Sequence, residues 1–207
     1  MTPAPVKRPA RSAQKPRGHG AERREEILAA ALKLLGRFGV HGVTTRMIAQ
    51  AVGISQPSLY AHFPSKDAIA AELHARAFLD LEARLSAGMV EVDTPEDLAR
   101  ALRIYIDFGL ENPDAYRVAF MIEGPMASPP DLSNSGRTCF GLLRQCVRDL
   151  HQRGLARDDD PERLAQSLWA GLHGLTSLLI ARPAFPWAPL EHLIKGHLEL
   201  LTRAAMR

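Results

Sequence analysis

Apolar side chains recur every three or four positions along most of the chain, which is the spacing of an amphipathic helix. The first series places six apolar residues on one helix face, and these are Ile27, Ala30, Ala31, Leu34, Leu35 and Phe38. Gly39 predicts the end of this helix, because glycine disfavours helical backbone. No run alternates apolar and polar residues for long enough to indicate a strand, so the pattern predicts an all-α protein.

Two short helices are predicted next, because helix caps and helix breakers lie close together. Thr44 is suited to cap a helix over about 45–52, and Gly53 ends that helix. A third helix is predicted from position 55 or 56 to about position 62. Pro57 fits its first turn, where the missing amide hydrogen would have had no partner within the helix.

A long fourth helix follows. Ser65 is suited to cap it, and the apolar pattern lasts until about Ser86. The inner face of this helix consists of Ile69, Leu73, Ala77 and Leu81.

The later helices are announced by a cap residue followed by proline, in the pairs Thr94-Pro95, Asn112-Pro113 and Asp160-Pro161. A loop is predicted ahead of the helix that carries Cys139, and it contains Pro125, Pro129, Pro130, Ser133, Ser135 and Gly136. The last two helices are predicted at about 161–181 and 189–205.

These elements divide the chain into three predicted parts. Residues 1–20 hold four prolines and two glycines with few apolar side chains, which predicts a disordered tail. Residues 21–66 form a small helical domain, and residues 67–207 form a larger one.

The positive charge of the chain is concentrated at its front. Residues 1–24 carry one acid, Glu22, and seven basic residues, namely Lys7, Arg8, Arg11, Lys15, Arg17, Arg23 and Arg24. That segment therefore has a charge of +6, and because the whole chain is +3 the remainder is −3. A basic front on an acidic body suggests contact with a polyanion, and the alternative is an extension that only aids solubility.

The cysteines and the lengths of the apolar runs indicate the cellular compartment of the protein. Cys139 and Cys146 lie seven positions apart, about 10 Å along a helix, which is too far for a disulfide. We expect both thiols to be reduced and buried, and a redox or metal role is the alternative. No apolar run reaches the ~20 residues of a membrane helix, and none follows the basic N-terminus as in a secretory signal. We therefore expect a soluble, cytoplasmic protein.

The two short helices, with a glycine in the turn and longer helices on either side, form the pattern of a helix-turn-helix. Four apolar residues are predicted to pack them, and these are Ile48, Val52, Leu59 and Phe63. The third helix keeps polar groups that suit the edges of DNA bases in a major groove. The alternative is a pair of helices with a solvated polar face and no DNA contact.

The residues themselves carry a closer resemblance. The stretch from Gly39 to Ala70 reads GVHGVTTRMIAQAVGISQPSLYAHFPSKDAIA. It resembles the DNA-binding signature of the TetR family of transcriptional regulators, with Thr-Thr opening the second helix, Gly-Ile-Ser in the turn, Leu-Tyr-x-His-Phe on the third helix and Ser-Lys opening the fourth. The resemblance covers about residues 21–75.

That resemblance implies roles for individual residues. Phosphate contacts would come from Thr45, Arg46, Tyr60 and Lys66, with an adjacent base as the alternative contact of Arg46. Such contacts set the register on DNA and carry no sequence information. Base readout would come from Ser55, Gln56 and Ser58, with Thr44 as a further candidate. His62 would serve either structure or DNA contact, and Gln56 is a candidate reader of adenine.

The segment Trp169-Ala-Gly-Leu-His173-Gly174, with Asn112-Pro113 and Tyr116 upstream, resembles the TetR subgroup named for its Trp-His-Gly motif. The resemblance implies a C-terminal domain that forms the dimer and holds a small-molecule pocket. The candidate pocket residues are Tyr105, Phe108, Tyr116, Phe120, Met121, Phe140, Leu143, Trp169 and His173. Each has an alternative role in the core, but together they suggest a hydrophobic or aromatic effector.

The last two helices support a homodimer. The first of them has little polar face, so it has to be buried nearly all round, and Gly171 and Gly174 permit close approach of another helix. Two such helices from each subunit would form a four-helix interface. The alternative is that they close a core within one chain.

The functional prediction is a ligand-responsive repressor that binds double-stranded, palindromic operator DNA as a homodimer. The alternative is a ligand-independent DNA-binding structural or cell-division factor on the same fold. The sequence contains no phosphate-binding glycine loop, no zinc-protease motif and no nucleophile elbow, so we expect neither an enzyme nor a bound cofactor or metal.

Overall fold

The structure is a computed structural model that describes residues 20–89, 91–121, 132–157 and 160–207. Those residues form α-helices and one π-helical turn without a strand, which confirms the all-α prediction. The helices are α1 (Gly20–Gly42), α2 (Thr45–Val52), α3 (Gln56–Tyr60), α4 (Lys66–Gly88), α5 (Pro95–Glu111), α6 (Pro113–Tyr116), α7 (Leu132–Gln152), α8 (Pro161–Ala181) and α9 (Leu190–Ala205). The tail predicted over 1–20 lies outside the described residues except for Gly20.

The boundaries of the short helices follow from local caps. Thr44 accepts a hydrogen bond from the amide of Met47 at 3.2 Å and so caps α2, and Gly53 ends α2 with a left-handed φ of 71°. α1 breaks at Gly39, whose φ of 70° and ψ of 172° lie in a region that is nearly restricted to glycine. One further helical turn carries α1 to Gly42, past the predicted end.

Apolar side chains gather in two clusters, and α4 belongs to both. Ile69, Ala70 and Leu73 join α1, α2 and α3 in the N-terminal cluster. Further along the same helix, Ala77, Phe78, Leu81 and Leu85 join the C-terminal cluster of α5, α7, α8 and α9. The predicted inner face of the fourth helix is therefore buried as expected, but in two different surroundings.

The segment after Asn112 also connects the two clusters. α6 has only four residues, and it continues as a π-helical turn over Arg117–Met121. Tyr116 packs in the C-terminal cluster, whereas Val118, two residues on, packs in the N-terminal cluster. Asp114 lies so close to α1 that a Cβ on Gly36 would be 2.5 Å from its carboxylate oxygen.

The loop predicted before Cys139 is shorter than its composition indicated. α7 already begins at Leu132, so the assignment of Ser133, Ser135 and Gly136 to that loop was wrong. The physical reason is tertiary packing, because a Cβ on Gly136 would lie only 3.3 Å from the Phe78 ring, so the glycine lets α7 approach α4. The three prolines assigned to the loop fall outside the described residues.

Among the described helices, α8 is the one long and apolar enough to cross a membrane by length and composition alone, so the expectation that no apolar run reaches that length was wrong. It packs against α5, α7 and α9, as a helix of a protein interior does.

Both cysteines are unpaired and buried, and burial raises the pKa of Cys139 to about 12 and that of Cys146 to about 11. Thiols with such values are protonated and poorly reactive at neutral pH.

We predict that Gly109→Ala destabilises the fold, whereas Gly141→Ala does not. A Cβ on Gly109 would lie 2.4 Å from Thr176 Cγ2 and 2.9 Å from the Tyr116 ring, so α5 would have to shift at a cost of about 1–3 kcal/mol. A Cβ on Gly141 meets nothing within 4 Å, and alanine there should add up to ~1 kcal/mol through its helix propensity. Urea unfolding followed by circular dichroism measures both, and equal effects would contradict the close α5–α8 packing.

Candidate functional site

α2, the turn at Gly53 and α3 pack together as one unit. Ile48 and Leu59 are fully buried and Phe63 is 1% exposed, so the two helices share a core with α1 and α4. Val52, the fourth residue predicted to pack them, is half-buried. The opposite side of α3 carries the residues that the sequence predicted to meet DNA.

A short hydrogen-bond network joins the starts of α2 and α3. The Tyr60 hydroxyl lies 3.2 Å from Thr45 Oγ1, and the side-chain amide of Gln56 donates to the same oxygen at 3.2 Å. Tyr60 and Gln56 are exposed, and Thr45 is half-buried. Three of the predicted contact residues thus form one polar surface that orients their side chains together.

Other predicted contact residues act first as helix caps. Ser55 Oγ accepts a hydrogen bond from the amide of Ser58 at 3.3 Å, as Thr44 does for α2. A hydroxyl that accepts in this way still has its own proton to donate to a base or a phosphate. Arg46 is exposed, and no acid in the described part of the chain pairs with it, so its guanidinium faces solvent.

Lys66 has a structural partner that the sequence did not indicate. Its ammonium group donates to the carbonyl of Val40 at 2.5 Å and to that of Val43 at 3.0 Å. These two bonds close the turn between α1 and α2, and they leave one of the three ammonium protons for a phosphate. The side chain is half-buried, so it is held in place before any DNA arrives.

Arg24 braces the end of α3, although sequence analysis counted it only as part of the basic front. It donates to the carbonyl of His62 at 2.8 Å, lies 4.0 Å from the centre of the Phe63 ring and pairs with Glu72. His62 is half-buried and makes this contact with its backbone and not its imidazole. The one sequence feature that could have indicated these contacts is an arginine three residues before the first buried isoleucine. An arginine at that spacing can equally be a surface charge, so the sequence does not predict its contact with the end of α3.

A second site lies in the C-terminal cluster, where three polar atoms form a triangle. The Tyr116 hydroxyl lies 2.7 Å from His173 Nδ1, and the Tyr105 hydroxyl lies 3.1 Å from both. Burial raises the pKa of Tyr105 to about 12 and raises that of Tyr116 further. Burial also lowers the pKa of His173, so the phenols are protonated and the imidazole is neutral near pH 7.

Ring contacts extend this triangle into a continuous cluster. Phe120 lies 4.8 Å from Tyr116 and 5.6 Å from His173 between ring centres, and Trp169 lies 5.9 Å from both His173 and Phe140. We call six of these connected side chains the ring cluster, namely Tyr105, Tyr116, Phe120, Phe140, Trp169 and His173. They come from α5, α6, the π-helical turn, α7 and α8, which only the fold brings together. The ring contacts continue onto α4 through Phe78, 5.0 Å from Phe120, and His74, 4.8 Å from Phe78.

The remaining predicted pocket residues have different positions. Leu143 and Phe108 are buried in the same C-terminal cluster, and the guanidinium of Arg84 lies 5.7 Å from the centre of the Phe108 ring. Met121, at the end of the π-helical turn, is 38% exposed. No group of three or more potential metal ligands occurs among the described residues.

Comparison with known proteins gives two family matches. Residues 27–73 match the bacterial regulatory proteins of the tetR family, and residues 98–200 match the tetracyclin repressor-like C-terminal domain. The first match contains α2, α3 and the Thr45–Gln56–Tyr60 network, and the second contains the whole ring cluster.

Individual relatives agree with these matches. The nucleoid occlusion factor SlmA of Salmonella paratyphi A is 31% identical over 176 residues, which is 82% of this chain and 88% of that protein. The class D tetracycline repressor of Escherichia coli is 49% identical over 57 residues, or 26% of each chain. A tetR-family regulatory protein from Rhodococcus RHA1 superimposes with a TM-score of 0.76 at 17% identity, covering 89% of this chain and 97% of that one.

The helix-turn-helix, the all-helical body and the near full-length similarity have one common explanation. The chain belongs to the TetR family and is a transcriptional regulator with an N-terminal helix-turn-helix DNA-binding domain.

Proposed function

We propose that the protein is a ligand-responsive repressor that binds a palindromic operator as a homodimer. The observation that carries this proposal is the exposed network of Thr45, Gln56 and Tyr60, because it orders three hydrogen-bonding groups on one face before DNA binds. Residues 21–66 would act as the DNA-binding domain, and residues 67–207 as the effector-binding and dimerisation domain of the Trp-His-Gly type.

On DNA, α3 would lie in the major groove. Thr45 and Tyr60 would hold phosphates through their hydroxyls, and Arg46 and Lys66 would add positive charge to the same backbone. Readout would fall to Gln56, with the cap serines nearby. Gln56 donates one amide hydrogen to Thr45, and its second amide hydrogen and its carbonyl oxygen would be available to a base.

The outer face of α8 and α9 supports the homodimer. This face carries small and apolar residues, namely Ser167, Ala170, Gly174, Leu178, Gly196, Leu200 and Ala204. Leu193, next to them, is partly buried against the C-terminal cluster. A Cβ on Gly171 would meet Leu201 of the same chain at 2.9 Å, so that glycine serves the contact between α8 and α9. Gly174 and Gly196 have nothing within 4 Å of their Cβ positions, which suits close approach of a helix from a second subunit.

The ring cluster would bind a hydrophobic or aromatic effector, and the protein would act in the cytoplasm, where its DNA target lies. Two states would differ in the spacing of the two copies of α3, which must lie about 34–36 Å apart to enter successive major grooves. An effector that prefers the other spacing shifts the population away from DNA. A differential affinity of about 1–3 kcal/mol is enough for a useful response.

A DNA-binding structural or cell-division factor is the second candidate. The similarity to a nucleoid occlusion factor over 82% of this chain favours it, because that relative spans both parts of the protein. Release of DNA by a small molecule distinguishes the two candidates, since only the first requires it.

We predict that Lys66→Ala and Arg46→Ala both lower the salt dependence of DNA binding, but that only Lys66→Ala weakens the fold. Each lost phosphate contact should reduce the slope of log K against log salt by about 0.9. Loss of the two bonds from Lys66 to backbone carbonyls should also cost about 1–3 kcal/mol of stability. Fluorescence anisotropy at several salt concentrations and urea unfolding measure these effects. If Lys66→Ala leaves the slope unchanged, Lys66 contacts no phosphate and serves only to close the turn between α1 and α2.

We predict that Gln56→Ala relaxes base preference at one operator position, whereas Tyr60→Phe weakens binding to every sequence. The amide would read a base edge, and such a contact is worth about 1–3 kcal/mol against a wrong base. The phenol hydroxyl would hold a phosphate, which is present at every position. Titration against single-base variants of a selected operator separates the two effects. If Gln56→Ala instead lowers affinity uniformly, its amide stays on Thr45 and reads no base.

We predict that Leu200→Lys makes the protein monomeric without loss of helix content. Leu200 is 71% exposed on the outer face of α9, so a charge there costs the single chain little and opposes burial in a four-helix interface. Leu79→Lys is the matched control, because Leu79 is 58% exposed on α4, away from this face. Sedimentation velocity should give monomers for the first variant and dimers for the second. A dimer with Leu200→Lys would place the interface elsewhere.

A further inference from the structure

We propose that His173 offers its Nε2–H as a hydrogen-bond donor to the effector, and that the effector is therefore an uncharged aromatic molecule carrying a carbonyl-type acceptor. This inference rests on the proposed function, since it assigns the ligand class of the ring cluster. It follows from counting the protons in the Tyr105–Tyr116–His173 triangle.

The triangle favours one tautomer of His173. If Nδ1 accepts, Tyr105 donates to the Tyr116 oxygen at 3.1 Å and Tyr116 donates to Nδ1 at 2.7 Å, so both phenol protons have acceptors. If Nδ1 carried a hydrogen it could not accept, and one phenol proton would have no acceptor within the triangle. Tyr116 is fully buried and Tyr105 is 5% exposed, so bulk water does not reach that proton. Only the tautomer with its hydrogen on Nε2 therefore pairs every proton of the triangle within the triangle.

The Nε2–H group has no partner in the described part of the chain. The hydrogen bonds of His173 all involve Nδ1. Within the described residues, the one fully buried side-chain nitrogen or oxygen without a partner is Nδ1 of His74. Nε2 of His173 also lacks a partner, so it is not fully buried and lies at the edge of the cluster. A donor without an acceptor is thus available on a ring whose centre lies 5.9 Å from that of Trp169 and 5.6 Å from that of Phe120.

The surroundings select against a charged ligand. Described charged side chains form no hydrogen bond or ion pair with any of the six members of the ring cluster. A carboxylate or an ammonium group placed there would lose its hydration without an opposite charge in return. A ketone, ester or amide carbonyl on an aromatic ring matches one fixed donor and flat apolar walls.

The tautomer is tested first, without any ligand. In a long-range proton–nitrogen NMR spectrum of the full-length protein, the His173 signal is assigned by its loss in His173→Gln. We expect a protonated Nε2 and an unprotonated Nδ1, and we expect Tyr116→Phe to convert this pattern into a mixture of tautomers. A protonated Nδ1 in the unchanged protein would overturn the proposal.

The ligand class is tested with acetophenone and α-methylstyrene, which have nearly the same shape but carry C=O and C=CH₂ respectively. The chain has two tryptophans, so Trp187→Phe leaves Trp169 alone, and 5-fluorotryptophan at that position reports binding by fluorine NMR. The ratio of the two dissociation constants is measured in this background and after His173→Phe or His173→Gln.

We expect His173→Phe to shift the ratio towards α-methylstyrene by about fivefold, the usual worth of one hydrogen bond. His173→Gln retains an N–H near the Nε2 position and should keep most of the preference for the ketone. An unchanged ratio in His173→Phe, or no fluorine shift with either compound, would overturn the proposal. Because the readout is independent of DNA, such a failure leaves operator binding to be judged separately, and a failure to bind DNA leaves this result unaffected.

Discussion

Burial of α4 in two separate hydrophobic clusters ties the DNA-facing surface to the ring cluster. Its first half packs with α1, α2 and α3, and its second half packs with α5 and α7. Because packed cores resist continuous deformation, a shift of α4 that suits one cluster has to be accommodated by the other. Lys66 at its start is bonded to the α1–α2 turn, so movement of this helix reaches the residues predicted to contact DNA.

The α6–π-helical segment is a second connection, and it is shorter. Tyr116 is bonded to His173, and two residues later Val118 is buried in the N-terminal cluster. The π-helical turn allows this change of surroundings within one turn of chain, and π-helical geometry often marks functional positions. Asp114 pairs with Arg117 at 3.0 Å and lies against Gly36 of α1. A ligand that disturbs the Tyr116–His173 bond would therefore act on a segment already in contact with the DNA-binding domain.

Sequence predicted best where local chemistry decides structure. α2 and α8 have the predicted bounds, because Thr44, Gly53 and Asp160 fix helix ends through bonds within a few residues. The start of α7 and the π-helical turn were missed, because Gly136 against Phe78 and Val118 against α1 are contacts between distant segments. The candidate site follows the same division. The residues of α2 and α3 that would contact DNA were predicted by motif. The second roles of Lys66 and Arg24 and the hydrogen-bonded triangle at His173 depend on residues far apart in sequence.

If the protein acts as proposed, two copies of α3 enter successive major grooves of one DNA duplex. Selection of binding sites from a randomised duplex pool with the purified full-length protein tests it most directly. We expect enrichment of a two-fold symmetric sequence whose half-sites are centred about one helical turn apart, ~34–36 Å. Recovery of no enriched sequence, or of a single half-site without its symmetric partner, would contradict it.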